Sequence, residues 1–275
     1  MHTRSKLAAD LRALGIARGD VVMVHASVRS VGEIAGGPDE IHLALKDVLS
    51  DEGTLMMYAS CPQYVDEVGR GNLSMLEEAE VIETLPAFDA ATARSDRSNG
   101  ALVELLRTYP GSRVNEHVAR FVAWGARAEH LFSQQPWDFP FGHESALERF
   151  VELDGKILML GADHDTATFL HYAEHVAEFP DKRIARFKVP ILEKGTRVWR
   201  EMKEVDTGDG AHANWPDRFF AKIVDSCLMA TSNAGGVVGD SRSYLIEARA
   251  LLNFALGVMT RVAADAGAAD ELREL

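Results

Sequence analysis

The sequence predicts an α/β fold, a single domain whose central, mostly buried sheet is covered by helices on both faces. Three observations point there. Short apolar runs without polar alternation, VVMVHAS (21–27), GTLMMYAS (53–60) and GKILMLG (155–161), suit strands buried on both sides. Stretches with apolar residues at helical spacing lie between them. The first run leads through a glycine-rich turn and a helix into the second, and strand–helix–strand order favours parallel pairing.

In chain order, Leu7, Leu11 and Leu14 repeat at helical spacing and Gly15 is a natural stop. After the strand at 21–27, GEIAGGPDEIHLALKDVLS (32–50) gives a turn, Pro38 near a helix start, and a helix through Ile41, Leu45 and Val48. The strand at 53–60 follows. Residues 61–97 are rich in acids and turn formers and read as an irregular insertion; so long a connection is more often lid-like than structural. GALVELLRTYPGS (100–112) is a helix stopped by Pro110-Gly111. RFVAWG (120–125) and the run at 155–161 are further strands, and Thr166 through Phe179 is an amphipathic helix. IARFKVPIL (184–192) and RVWREMKEV (197–205) alternate like a hairpin with Lys194-Gly195 near its turn. The chain from Gly235 reads as a glycine loop and one long helix.

Composition narrows the function classes. Acidic side chains number 42 against 29 basic, a formal charge of −13, and no Lys/Arg run interrupts the excess. Such a chain repels phosphate backbones, so nucleic acid is not an expected partner. A cationic small molecule is drawn in instead. Cys61 and Cys227 are too few for a disulfide framework or a cysteine-rich metal site. The N-terminus lacks the basic–apolar–small order of a signal peptide, and no apolar stretch reaches membrane-spanning length. A cytoplasmic enzyme with no membrane partner is expected.

One stretch asks for chemistry. TFLHYAEH (168–175) contains H-x-x-E-H, the inverted zinc-peptidase pattern, in His171, Glu174 and His175. Two histidines one helical turn apart face the same side and can share a metal. A zinc hydrolase also needs a third protein ligand and an open water position. His164 and Asp165 precede the helix and bear no fixed relation to its face. Two histidines simply hydrogen-bonded at a helix surface are the plainer reading.

DVVMVHASVRSVGEIAGG (20–37), GTLMMYAS (53–60) and LGADHDTATFLHYAE (160–174) resemble the aminoglycoside 3-N-acetyltransferase family. AFDAATA (87–93), KEVDTGDGAH (203–212) and GGVVGDSRSYLIEA (235–248) are similar to it in the same order, so the resemblance spans nearly the whole chain. It implies transfer of an acetyl group from acetyl-coenzyme A, a co-substrate, to the 3-amino group of the 2-deoxystreptamine ring of aminoglycosides, hence antibiotic resistance. It also implies the antibiotic N-acetyltransferase fold rather than the common small acetyltransferase fold, and no metal. A different amine as substrate is the nearest alternative. The protomer is expected as a monomer or a homodimer.

The resemblance assigns roles. The stretch from His25 and Ala26 through Ser27, Arg29, Ser30, Val31 and Gly32 is where acetyl-coenzyme A is expected; N–H groups of a glycine loop entering a helix suit pyrophosphate oxygens, and Arg29 can neutralise phosphate. His171 becomes the general base for an amine that must shed a proton as it attacks. Its orienting carboxylate is Glu174, one turn along, or Asp206 or Glu204 from the acidic stretch. Glu174 as a plain helix charge, or as a partner of Arg183, is the bland reading. Backbone N–H groups near Ala26–Ser27, or the Thr168 hydroxyl, are candidates for the oxyanion. Carboxylates for the ammonium groups of the drug are sought among Asp66, Glu67, Asp89, Glu174, Glu204, Asp206 and Asp209, with Asp89 favoured by its motif; Tyr64, Trp137 and Trp215 are candidates to stack on sugar faces. Many relatives carry R-x-x-H-P, where this chain has Glu116 and His117 after Arg113, and Ala167 stands where they have asparagine before Thr168.

Overall fold

The computed structural model describes residues 1–64, 68–69, 71–206, 214–265, 267–268 and 272. Helix α1 (Arg4–Leu14) is capped by Thr3, whose side chain accepts the Lys6 N–H, and stopped by Gly15 in the left-handed region at φ 112°. Strand β1 (Val21–Ala26) runs into the single turn α2 (Val28–Val31), capped by Ser27, and then α3 (Asp39–Leu49) returns the chain to β2 (Thr54–Tyr58).

The segment read as irregular holds a ten-residue helix, α4 (Met75–Thr84). A capping box starts it: Ser74 and Glu77 satisfy each other's backbone N–H groups. Its apolar residues stay exposed, which is why no buried stripe announced it. Next come α5 (Ala101–Arg107), the short β3 (Arg113–Val114), β4 (Phe121–Gly125), α6 (Ala128–Leu131) and α7 (Ala146–Glu152).

Strand β5 (Lys156–Leu160) leads to α8 (Leu170–Val176), shorter than the expected helix over 166–179. A 3-10 turn at His164–Thr166 precedes it, and Ala177 is already extended, ahead of Pro180. Strands β6 (Ile184–Glu193) and β7 (Thr196–Val205) form the expected hairpin, closed by Lys194 and Gly195, both at positive φ. Helix α9 (Phe219–Ala230) follows. The expected glycine loop is two strands, β8 (Gly236–Val238) and β9 (Ser241–Glu247), paired antiparallel through a turn at Gly239; only then does α10 (Ala248–Ala264) begin.

Seven strands form one mixed sheet in the order β3-β4-β2-β1-β5-β9-β8. Its centre is parallel, with Val22 opposite Leu55 in β2 and His25 opposite Met159 in β5, while β4 and β9 run antiparallel on either side. The pleat sends alternate residues to opposite cores. Val22, Val24, Leu55, Met57 and Leu158 pack with Leu11, Leu45 and Leu106 of α1, α3 and α5. Met23, Met56, Ile157 and Met159 pack on the other face with Phe150, Leu170, Ile223 and Met259 of α7 to α10. A smaller core lies under the hairpin, where Phe187, Val189 and Met202 meet Phe88 and Val118. Both faces are therefore covered by helices, as the apolar runs required. Among the described residues no helix is long and apolar enough to cross a membrane.

A cleft sits where the connections of the sheet diverge. The chain leaves β1 toward β2 on one side and meets β5 on the other, so the loops at their carboxyl ends diverge above β1. Open α/β sheets place ligands at such a switch point.

Candidate active site

A cleft of about 530 Å³ opens there. Its walls come from the end of β1 (Val24, His25, Ala26 and the following Ser27), the end of β2 (Met57, Tyr58), the entry to α5 (Ser98, Asn99, Gly100), the loop after β5 (Asp163, Asp165, Thr166, Thr168), His171 on α8 and Phe220 on α9. The structure thus brings His25, Ala26, Ser27, Thr168 and His171 together from opposite ends of the chain.

His171 is held from every side. Its Nδ1–H donates to Glu174 Oε2 at 2.7 Å, one helical turn away. Phe141 stacks on the ring at 5.0 Å and 24°, and Phe220 meets it edge-on at 5.0 Å. Glu174 is 3% exposed, so its charge is little screened by water. Burial pulls the imidazole toward neutrality, but the Glu174 charge and hydrogen bond, with a smaller push from Glu204, outweigh it and raise the pKa above the ordinary histidine value. With Nδ1 committed to the carboxylate, Nε2 is the nitrogen left to take a proton.

His175 differs. Its Nδ1–H donates to the His171 carbonyl at 2.7 Å, its ring packs edge-on against Phe139 and Phe141, and burial pushes its pKa down to about 4. Lys182 closes the same helix end, donating to the carbonyls of His175 and Ala177. The H-x-x-E-H letters therefore split into a polarised His–Glu pair and a packed neutral histidine. Among the described residues no three His, Cys, Asp or Glu side chains are grouped as metal ligands. The third protein ligand that a zinc hydrolase needs is not grouped with these two histidines among the described residues.

The remaining expected residues scatter. Asp206 pairs with Arg183 at 3.1 Å, so Arg183 is its partner and not that of Glu174. Glu204 acts on His171 through its charge and makes no hydrogen bond to the ring. Asp89 folds back on its own turn, accepting from Ala91 N–H at 3.0 Å and Thr92 Oγ1 at 2.8 Å. Tyr64 packs edge-on against Phe88 under the hairpin, outside the cleft wall. Trp137 lies against His117 and the Arg200 guanidinium, and Trp215 between Phe179 and Phe219. Asp66, Glu67 and Asp209 lie outside the described residues.

The loop expected to take acetyl-coenzyme A also divides. Val31 is fully buried in the core beneath α1 and α3, so its side chain cannot meet a ligand. Ser27 and Ser30 join hydroxyls at 2.8 Å, and Ser30 and Arg29 are exposed beyond the cleft wall. Gly32 sits at φ 91°, where an added Cβ would fall 2.1 Å from Asp240 Oδ2, so only glycine fits. His25 is a buried imidazole whose Nε2 has no partner; burial pushes its pKa down to about 4, which keeps it neutral.

Tyr58 and Asp163 of the cleft lay inside the quoted stretches without being singled out, and Asn99 and Phe220 lay outside them, as does Phe141, which stacks on His171. Tyr58 was legible in principle, since strand parity puts it on the same sheet face as His25. Asn99 is fixed by donating to Ser60 Oγ at 3.1 Å and Ser95 Oγ at 3.0 Å. The Asp163 carboxylate holds the Arg218 guanidinium through both oxygens.

Comparison with known proteins is consistent with this geometry. The family profile described as aminoglycoside 3-N-acetyltransferase matches residues 23–260. Aminoglycoside N(3)-acetyltransferase III of Pseudomonas aeruginosa is 39% identical over 93% of this chain and 92% of its own. Aminoglycoside N(3)-acetyltransferase VII of Streptomyces paromomycinus is 38% identical over 94% and 91%. Among solved structures, AAC-IIIb in its binary complex with CoASH superposes with a TM-score of 0.87 at 41% identity, covering 94% of this chain and 96% of that one. AAC-VIa bound to sisomicin gives 0.87 at 33% identity, covering 96% and 99%.

Proposed function

The chain belongs to the aminoglycoside 3-N-acetyltransferase family, and from that premise we propose that it moves an acetyl group from acetyl-coenzyme A to the 3-amino group of the 2-deoxystreptamine ring of an aminoglycoside, disarming the antibiotic. The observation that carries the reading is the His171–Glu174 pair, set in the cleft wall with Nδ1 tied to a buried carboxylate.

The chemistry follows from that pair. An amine attacks only through a free lone pair, and bonding to the thioester carbon makes its remaining protons acidic. His171 Nε2 accepts one of them; Glu174 holds the ring in the required tautomer and stabilises the imidazolium that results. The Phe141 and Phe220 rings fix its plane, so orientation costs nothing at the moment of reaction. The net charge of −13 draws a polycation toward the protein, and Asp165 stands in the cleft wall where ammonium groups would arrive. Ser27, capping α2, and the loop to Gly32 present the surface we assign to acetyl-coenzyme A. Two buried, unpaired cysteines suit a reducing cytoplasm.

Product analysis tests the reading. After incubation with acetyl-coenzyme A and a 2-deoxystreptamine aminoglycoside, mass spectrometry should find one added acetyl group, and NMR should place it on the 3-amino nitrogen. Unmodified drug across a broad panel would refute the assignment; an acetyl group on another amine would refute only the position.

A further inference from the structure

We propose that the Tyr58 hydroxyl is the hydrogen-bond donor that receives the thioester oxygen as negative charge collects on it, a role that rests on the acetyl transfer proposed above.

Placement comes first. Leu55 and Met57 enter the core beneath α1, α3 and α5, and Met56 enters the opposite one, so Tyr58, last residue of β2, points to the face that carries α8. It lines the same cleft as His171. Its ring is fixed between Phe121 at 5.2 Å and Phe141 at 5.9 Å, and Phe141 is also the ring stacked on His171. One aromatic wall therefore positions the base and the phenol together.

Electrostatics suit the role. Burial raises the phenol's pKa well above its ordinary value and the Glu204 carboxylate adds to the effect, so Tyr58 keeps its proton. The same carboxylate favours the imidazolium on His171. A neutral donor and a cation-ready base thus share one acidic neighbour. The Ser60 hydroxyl beside the phenol is itself held by Asn99, which joins Tyr58 to the α5 side of the cleft. Two other polar side chains of the wall are less suited: Thr168 Oγ1 turns back to the Thr166 carbonyl at 3.4 Å, and His25 Nε2 is sealed beneath the surface.

The step balances. The amine lone pair forms the N–C bond while the carbonyl π pair moves onto oxygen, where the Tyr58 O–H donates to it, and His171 Nε2 takes one N–H proton. On collapse the oxygen pair re-forms the carbonyl, the C–S pair leaves on sulfur, and the imidazolium proton passes to the thiolate. Amide and coenzyme A thiol result, with Tyr58 unchanged.

Tyr58→Phe tests this because it removes the hydroxyl and leaves the ring packing. We expect kcat to fall about 100-fold, the lower end of what losing one oxyanion donor costs. KM for the drug and the Kd of acetyl-coenzyme A should stay within about threefold, and the pH of the acid limb and the unfolding temperature should not move. A kcat within about threefold of the parent overturns the proposal, as does a loss confined to KM, which makes Tyr58 a binding contact. A fall in kcat that tracks a lowered unfolding temperature overturns it in favour of a packing role. Should the unaltered enzyme form no acetylated product, the acetyl-transfer reading fails first and takes this inference with it.

Discussion

Replacing Glu174 with glutamine keeps the side chain's shape and removes the charge opposite the His171 ring. The bond at stake is the 2.7 Å Nδ1–H donation to a carboxylate only 3% exposed. A hydrogen bond to a charged group contributes about 1.5–3 kcal/mol net. That charge is felt most when the ring is an imidazolium, so most of it is lost from the transition state. At about 1.36 kcal/mol per decade, kcat/KM should drop roughly 10- to 150-fold. If the amide presents its NH2 group to Nδ1 the tautomer inverts, and the loss approaches roughly 10⁴-fold.

The pH dependence gives a sharper signature. A histidine base works only when neutral, and in the parent the His171 pKa lies above the ordinary value because Glu174, helped by Glu204, outweighs burial. Without the Glu174 charge, burial prevails and the pKa falls below the ordinary value. The acid limb of kcat/KM therefore moves to lower pH, and the deficit is widest above neutrality and narrows below it. Thiol release followed across the pH range in which both proteins stay folded reads both quantities. An acid limb that stays put, or moves up, would refute the reasoning even if the rate fell.

Two further changes probe the fold around the site. Gly32→Ala puts a Cβ 2.1 Å from Asp240 Oδ2 at a φ of 91°, a conformation costing about 1–3 kcal/mol for other residues; binding of acetyl-coenzyme A, read by calorimetry, should weaken, and unaltered affinity would free this loop from the cofactor role. Lys46 lies buried with its Nζ over the Tyr109 ring at 3.4 Å and without a hydrogen-bond partner, and burial pushes its pKa down to about 8 from the ordinary lysine value of 10.5. The unfolded chain binds the extra proton between those values, so stability rises with pH through that window. Lys46→Met should accordingly raise the unfolding temperature near neutrality by about 2–4 °C, the equivalent of about 1 kcal/mol in a chain of this size, with the gain shrinking toward the alkaline end; a lower temperature at pH 7 would contradict it.

The parts of the fold that were legible were those whose signal is local. Apolar runs at 21–27, 53–60 and 155–161 read as strands buried on both faces, and the helix between the first two favoured the parallel pairing that β1 and β2 show. The β8–β9 hairpin was hidden because Gly239-Asp240 turns the chain within a segment whose apolar content merges into α10. Helix α4 escaped because capping, not burial, defines it. In the site, His171 stood out by residue type and neighbourhood, but spacing could not rank Glu174 against Asp206 or Glu204. That choice depends on Arg183, which claims Asp206 from 23 positions away. Asp89 and Tyr64 have local partners that spacing does not show: the carboxylate accepts within its own turn, and the tyrosine packs edge-on against Phe88. Phe141 and Phe220, which pack on the His171 ring, carry no sequence signature because an aromatic side chain serves any core.

The most direct test is coenzyme A release from acetyl-coenzyme A in the presence of an aminoglycoside, compared between the parent and His171→Ala. The account predicts release that requires the drug, a loss of about 10²–10⁴-fold in the variant, and retained binding of both substrates. Release by His171→Ala at close to the parent rate would contradict it, since no imidazole would then be needed to take the proton.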